Sequence, residues 1–367
     1  LLDDVAYVNP PETAEGRRTL VQSGDVLLSI TADLGRTAVV PEEIGDAYIN
    51  QHLAILRVKG VEPRFLSAFL SSPFGQTQIQ GRNRGGVKAG LNFDDINSFT
   101  IPLPPLPEQR RIAEILDRAE ALRAQRRAAI AQLDELTQAI FIDMFGDLDT
   151  HLNSRQLPKG WKVDAVADIC APRPYSCVGG PFGSELTQAD YVDVPGIPVV
   201  RGQNLSSNGM FIFEEGFVFV SESKANELHR NTAERGDVMV SQRGARLAGQ
   251  VAYIPLTSKF PRYVVSQSQM KISPDLNRVH PFYLVHYFQS PQAIRIMEAQ
   301  TISTGVPHIN LGILRKFKVV VPPLELQSSF AARITAISKL RSAYRTSLAE
   351  LDALFGTLQN RAFCGEL

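Results

Sequence analysis

The side chains best suited to specific chemistry in this sequence are arginines and glutamines carried on glycine-rich turns. The run Ser241-Gln242-Arg243-Gly244-Ala245-Arg246 directly follows a β-branched stretch. Lys259, Arg262 and Tyr263 lie just beyond it, Arg173, Tyr175 and Ser176 make a second loop, and Arg201, Gln203 and Asn204 make a third. Nearer the amino terminus the corresponding set is Arg36, Arg82, Arg84 and Lys88, with Gly85 and Gly86 letting backbone approach a phosphate. Such groups break no bonds; they read surfaces. A guanidinium can bond a guanine edge through two hydrogens and a primary amide can do the same for adenine, so Arg243, Arg246 and Gln242 suit major-groove readout. Any one of these residues, taken alone, also reads as a solvated loop charge. As a set they point to a polyanionic partner whose phosphates give affinity and whose bases give discrimination.

Bond-making chemistry is poorly represented. Asn9-Pro10-Pro11-Glu12 resembles the NPP(Y/F) motif of adenine methyltransferases, where an aromatic residue stacks on a flipped base. Glu12 cannot stack, and no glycine-rich cofactor fingerprint accompanies it, so the segment is read as a surface loop. No Walker-type phosphate loop is present, which assigns any use of ATP to a partner. The histidines His52, His151, His229, His280, His286 and His308 form no ligand-spaced cluster, and Cys170, Cys177 and Cys364 are too scattered for a zinc site or a disulfide framework. The sequence therefore predicts no catalytic residue, no metal site and no cofactor in this chain.

The elements that must position the reading loops come in repeats. PLPPLPEQRRIAEIL at 102–116 is answered by VVPPLELQSSFAARI at 320–334, an offset of 218 that also relates Asn92 to Asn310 and Pro73 to Pro291. Upstream, Gly24-Asp25-Val26 answers Gly236-Asp237-Val238 at an offset of 212. A repeat of this kind sets the architecture before any local reading does. By that offset Leu1 corresponds to Phe213, so residues 151–212 have no counterpart in the first copy. The expectation is a fragment, a split gene product or a trimmed chain.

Each copy ends in a proline hinge that feeds a long amphipathic helix. Prolines at the entrance and Glu108 or Glu325 in the first turn suit a helix start. Ile112, Ile115, Ala119, Leu122, Ala129, Leu133, Leu136 and Ile140 recur at spacings of three and four with one gap of seven, and the second helix carries Phe330, Ile337, Leu340, Tyr344, Leu351, Leu354 and Leu358 at matching places. Each helix is the other's most economical partner, and an intervening globular unit makes antiparallel pairing the expectation. About 37 helical residues at ~1.5 Å each would make a spacer of roughly 55 Å, near one and a half turns of B-DNA. Two arginines interrupt the stripes: Arg126, which faces Tyr344 by repeat position, and Arg333, which faces Ile115. The preferred reading places them at the edge with snorkelling stems; register setting, or the binding of another subunit, is the alternative.

Residues 151–321 read as short strands and turns, with strands over Gly216–Val220, Asp237–Ser241, Gln250–Ile254 and Tyr263–Ile272, and a helix over Pro281–Ser290 matched by Pro63–Ser72. The fold class is α+β: two β-rich domains in tandem, the first incomplete, joined by two long helices in an antiparallel coiled coil. The domains are 1–104, a spacer helix 105–147, 148–321, and a second helix 322–367. A formal net charge of zero conceals 18 Lys and Arg against 13 Asp and Glu within residues 151–321, a basic surplus that permits polyanion binding without demanding it. No apolar run approaches the ~20 residues needed to span a bilayer. A reducing cytoplasm is the default location.

The hinge PLPPLPEQRRIAEIL, the tandem arrangement, and the stretches GGPFGSELTQADY at 179–191 and GIPVVRGQNL at 196–205 together resemble type I restriction-modification specificity subunits over essentially the whole chain. The resemblance implies a non-catalytic subunit in which each half is a target-recognition domain followed by a spacer helix, each domain reading one part of a split site in double-stranded DNA. It further implies two modification subunits that methylate adenine with S-adenosylmethionine, restriction subunits that use ATP and Mg, and a role in phage defence. The chain departs from the family pattern in lacking roughly the first third of its first recognition domain. Two other readings stay open: the recognition portion of a single-chain restriction-methyltransferase, and a non-functional recombination cassette or coiled-coil scaffold.

Overall fold

A computed structural model describes residues 7, 9, 13–82, 90–153, 156–193, 196–205, 209–242, 250–302 and 308–367. The chain divides into two units, Leu1–Ile130 with Ala343–Leu367, and Ala131–Ser342.

The first unit begins with α1 (Ala14–Thr19) and an antiparallel sheet of β1 (Val26–Ser29), β2 (Thr37–Val39) and β3 (Leu53–Leu56), ordered β2-β1-β3. Val26 and Leu28 of β1 are fully buried. A helical arm follows, α2 (Pro63–Ser71) and α3 (Pro73–Gly81), each with proline in its first turn. Ser72 ends one helix and caps the next: its hydroxyl donates to Phe69 O (2.6 Å) and accepts from Gly75 N (3.4 Å). Gly75 is required there, because a Cβ would lie 2.4 Å from Phe69 O. The short α4 (Phe93–Asn97) is closed by a capping box between Asn92 and Asp95. Then comes α5 (Leu106–Phe145).

The second unit contains α6 (Leu148–Asn153), β4 (Lys162–Ala165), β5 (Cys177–Gly179), β6 (Tyr191–Val192), β7 (Ile197–Val200), β8 (Val218–Val220), α7 (Glu222–Glu227), β9 (Thr232–Glu234), β10 (Val238–Ser241), β11 (Val251–Tyr253), β12 (Arg262–Val265) and β13 (Gln269–Ile272). After them come α8 (Pro281–Gln289), α9 (Pro291–Ala299), α10 (Leu311–Lys316), β14 (Lys318–Val321) and α11 (Leu324–Cys364). One sheet is ordered β11-β10-β13-β5 and another β6-β8-β7-β12-β9. The trio β11-β10-β13 is β2-β1-β3 again, since Val238 faces Tyr253 and Ile272 as Val26 faces Val39 and Leu56. The single strand expected over Tyr263–Ile272 is instead two strands in different sheets. The chain turns at Ser266, whose carbonyl accepts from Gln269 N at 3.0 Å.

The repeats differ at the strand that enters the long helix, because the first copy has no counterpart of β4 to pair with it. In the second unit β14 pairs with β4 through the register Lys318↔Ala165 to Val321↔Lys162. The equivalent stretch 100–103 forms no strand, and Pro102, which stands where the second copy has Val320, has no N–H to give a ladder. The amide of Gln78 takes over part of the task, accepting from Thr100 N (2.9 Å) and donating to Thr100 O (2.8 Å).

The long helices run antiparallel within each unit. In the first, Arg123 reaches Asp352 (2.6 Å) and Phe355 (4.3 Å to the ring), while Arg126 lies over Tyr344 (4.3 Å). In the second, Asp134 bonds Arg341 (2.7 Å) and Phe141 meets Phe330 edge-on at 5.5 Å. Arg126 is therefore a cation held on an aromatic face in the seam, and the edge reading gives way to it. Ile112, Leu133 and Phe330 are buried, and Ile115, Ala119, Ile140, Ile337, Tyr344, Leu351 and Leu358 are half-buried. Leu122, Leu136, Leu340 and Leu354 are 53, 46, 43 and 52% exposed and leave the expected stripe. A helix of 3.6 residues per turn drifts off a 3.5-residue pattern, so Leu116, Phe141 and Ile334 are buried in addition.

Candidate nucleic-acid interface

Beneath the loops lies a buried acid in each unit. Asp25, in the turn before β1, accepts from Gln22 N (2.7 Å) and takes Arg57 on both oxygens (2.8 and 2.7 Å); the Arg57 hydrogen bond holds its carboxyl below the usual range. Asp237, in the turn before β10, accepts from Glu234 N (2.9 Å) and pairs with buried Lys271 (3.0 Å), which also donates to Ser273 Oγ (3.1 Å). The acid and its turn repeat; the cation comes from a different strand position. The Lys271–Asp237 pair is buried on both sides and costs desolvation, so it holds only while every partner is present, whereas Arg57 is about half exposed.

The loop at 171–176 meets the short turn His229–Asn231 on the second unit. Arg173 donates to Glu234 (3.2 Å) and Ser273 Oγ (3.4 Å) and lies 3.9 Å from Asp237. Tyr175 has a left-handed backbone (φ 60°) and an exposed ring, with His229 edge-on at 6.0 Å and the Arg230 guanidinium at 5.9 Å. Ser176 O accepts from Ser273 N at 2.6 Å. Asn231 ties this turn to β5 by donating to Gly179 O (2.8 Å). The result is an exposed aromatic and basic cluster whose members come from segments more than fifty residues apart. His229 and Arg230 were not expected there, because nothing in their local sequence marks them.

Other expected readers are tied into the fold. Arg201 and Gln203 both donate to Gly216 O (3.1 and 2.5 Å). Asn204 is fully buried, donating to Phe213 O and Glu215 O, and is structural. Arg262 donates to Asn226 Oδ1 (2.9 Å), and Tyr263 is buried with its hydroxyl toward Glu214 (3.3 Å). Lys259 is exposed, its ammonium 5.4 Å from the Phe260 ring. Gln242 is fixed through its backbone, donating to Ser268 O and accepting from Ile309 N. In the first unit Arg36 pairs with Asp33 (3.1 Å). Arg82 gives its guanidinium to Ser98 Oγ, Gln78 O and Ser98 O (2.6, 3.1 and 2.9 Å) and works as a brace. Arg84, Lys88, Gly85, Gly86, Arg243 and Arg246, like Pro10, Pro11 and Glu12, lie outside the described residues.

A further exposed aromatic sits on a built turn. Phe182 is 89% exposed, yet its amide donates to Glu185 (2.8 Å) and Gln267 donates to Gly183 O and Leu186 O. Gly180 admits no side chain, since a Cβ would lie 1.9 Å from Ser266 O. The signal available in the sequence was an aromatic residue between glycines.

The repeated scaffold with divergent loops agrees with comparison to known proteins. The model for the type I restriction modification DNA specificity domain matches residues 12–132 and 158–351. The chain belongs to that family. It is 31% identical over 137 residues to the Escherichia coli EcoBI specificity subunit, covering 35% of this chain and 28% of that protein. To the EcoKI specificity subunit of E. coli strain K12 it is 23% identical over 319 residues, covering 83% of this chain and 65% of the relative. The chain thus spans less than two thirds of the length of either relative. Among solved structures, a chain of a type I R-M system matches with a TM-score of 0.58 at 20% identity, covering 95% of this chain and 83% of that one. The type I S subunit from M. genitalium matches with a TM-score of 0.55 at 16% identity, covering 95% and 84%. Both likenesses concern the fold.

Proposed function

We propose that this chain is the non-catalytic DNA-reading subunit of a type I restriction-modification complex and directs methylation and restriction to a two-part DNA site. The observation that carries this reading is one scaffold built twice with different exposed loops. Sheet order, buried acid and helix hinge repeat, whereas the run that leaves the equivalent strand differs, Ser241-Gln242-Arg243 in one copy and Ser29-Ile30-Thr31 in the other. A shared frame with unlike readers suits a site whose halves differ in sequence. The basic surplus of residues 151–321 supplies the electrostatic share, so affinity falls steeply with salt as counterions are released. Methyl transfer from S-adenosylmethionine and ATP-driven cleavage with Mg belong to partner modification and restriction subunits, working in the cytoplasm against incoming phage DNA.

The test is co-purification with a modification subunit encoded beside this chain, followed by methylation-sensitive sequencing of DNA incubated with the complex and S-adenosylmethionine. Methylated adenines at a gapped motif are expected. A complex that methylates without sequence preference would remove the reading role.

A further inference from the structure

Cys170 and Cys177 are separated by six residues in sequence, and the fold brings them side by side. Cys177 opens β5 opposite Ile272 of β13, and Cys170 makes an isolated bridge to Pro274. Ser273, between those two partners, holds both approaching segments on one edge: its N–H donates to Ser176 O (2.6 Å) and its carbonyl accepts from Ala171 N (2.8 Å). Positions two apart on a strand share a face and lie about 6.6 Å apart, so the residues standing opposite them are neighbours on one face as well. That separation falls within the ~4.4–6.8 Å between α-carbons that a disulfide spans. The side chains agree with the register. Cys177 is part of a core that includes Ile272 and Tyr283, Cys170 packs against the same core, and the two sulfurs are within hydrogen-bonding reach of each other.

The two thiols are chemically unequal. Cys170 is half-buried, with its sulfur 3.0 Å from Val166 O, and Cys177 is buried. A hydrogen bond from Cys170 holds the Cys177 thiol below its ordinary range against the effect of burial, helped by the charges of Arg315 and Lys271, while the same contact and burial push Cys170 up. Cys177 is thus the sulfur suited to carry the thiolate, with a protonated thiol beside it. The loop they enclose is the one that presents Arg173 and Tyr175, the latter with a left-handed backbone (φ 60°). Because residues 151–212 have no counterpart in the first copy, this arrangement belongs to the second copy alone.

We propose that Cys170 and Cys177 are an oxidative modification site, forming under hydrogen peroxide a reversible disulfide that staples the base of the loop at 171–176. The Cys177 thiolate attacks one peroxide oxygen, the O–O bond breaks, and a sulfenic acid and hydroxide result. The Cys170 thiol then displaces hydroxide from that sulfur and the S–S bond forms. Two thiols give up two electrons and two protons, and the peroxide leaves as two waters. A small neutral oxidant suits a sulfur buried this deeply. In a reducing compartment such a bond is transient, as redox-sensing disulfides are. The covalent ring contains Arg173 and Tyr175, so oxidation acts on the exposed aromatic and basic cluster of one unit and spares the other.

The experiment uses the full chain carrying Cys364→Ser, which removes the exposed third thiol. The protein is treated with hydrogen peroxide, alkylated after denaturation, and its intact mass measured. Both remaining thiols are expected to escape alkylation, with a mass lower by two hydrogens, the change mapping to a peptide that contains both cysteines and reversing fully with dithiothreitol. Amide hydrogen exchange across 171–177 is expected to slow at least severalfold in the oxidised protein. Cys170→Ser in the same background leaves Cys177 without a resolving thiol and is expected to accumulate a sulfenic acid there, trapped by dimedone. Two alkylatable thiols after a peroxide dose that consumes Cys364 in the unaltered chain overturn the site, an outcome that needs neither cysteine of the pair to be replaced. A disulfide that leaves exchange across 171–177 unchanged overturns the staple.

Discussion

Gln109 and Gln327, 218 residues apart, make the same clamp. Gln109 accepts from Glu62 N (2.9 Å) and donates to Pro104 O (2.8 Å); Gln327 accepts from His280 N (2.8 Å) and donates to Pro322 O (2.8 Å), with Arg278 O added at 3.1 Å. Both side chains are buried, at 2 and 0% exposure. One amide thus joins the residue before a helix of the arm to the proline hinge of the long helix, and the geometry of each unit hangs on it. Truncating either to alanine leaves a buried N–H and a carbonyl without partners, at a cost of about 1–3 kcal/mol. Urea unfolding of Gln109→Ala and Gln327→Ala would show this, and a loss below about 0.5 kcal/mol in both would refute the clamp.

Lys271 and Asp237 form an ion pair with both side chains below a tenth exposed. Lys271→Ala strands the carboxylate and should cost about 3–5 kcal/mol, softened by Arg173 nearby. The pair Lys271→Met with Asp237→Leu should recover most of that loss, because it removes both desolvation penalties. Thermal melting of the three proteins separates the outcomes; equal melting points for the single and double variants would count against the argument.

Burial, with a smaller contribution from the charge of Arg341, pushes the His286 imidazole down to about 4 from an ordinary 6.5. As pH falls below the ordinary value the unfolded chain takes up a proton that the folded chain refuses. Stability is therefore complete above pH 6.5 and declines toward pH 4, by about 3 kcal/mol over the whole span. His286→Leu has nothing to titrate and should flatten this part of the curve. Denaturant midpoints at pH 7, 6 and 5 provide the check, and an unaltered slope in the variant would dismiss it.

Arg230 and Arg82 should behave oppositely. Arg230, over the exposed Tyr175 ring, is placed to meet phosphate, so Arg230→Ala should weaken DNA binding several-fold and lower the salt slope by about 1 without changing stability. Arg82 gives its donors to Ser98 and Gln78, so Arg82→Ala should cost about 1–2 kcal/mol of stability and leave the salt slope alone. Fluorescence anisotropy over a salt series, beside melting curves, distinguishes them. A reversed pattern would exchange their roles.

Local signals fixed a good deal. Proline hinges, helix periodicity and β-branched runs gave α2, α5, α8, α11, β10 and β11 to within a few residues, since each depends on backbone restrictions read over neighbouring positions. The tandem plan was legible because both copies keep Gln109 or Gln327, Pro104 or Pro322, and Asp25 or Asp237. What periodicity could not settle was the helix seam, where Leu122 and Leu136 turn outward and Arg126 turns onto Tyr344. An apolar pattern states that a stripe exists; the drift of a real helix and the partner's side chains decide which residues enter it.

By itself, then, the sequence determined the repeat, its α+β class and the family to which it belongs. Tertiary structure decided which polar side chains remain free to read a surface. Arg82 and Asn204 look like readers in sequence, but acceptors nine to sixteen residues away claim them; Tyr175 becomes part of an exposed cluster only because the turn at His229 folds against it. Hydrogen-bond satisfaction and packing are sums over neighbours that the chain brings together from afar, and no spacing along the sequence encodes them.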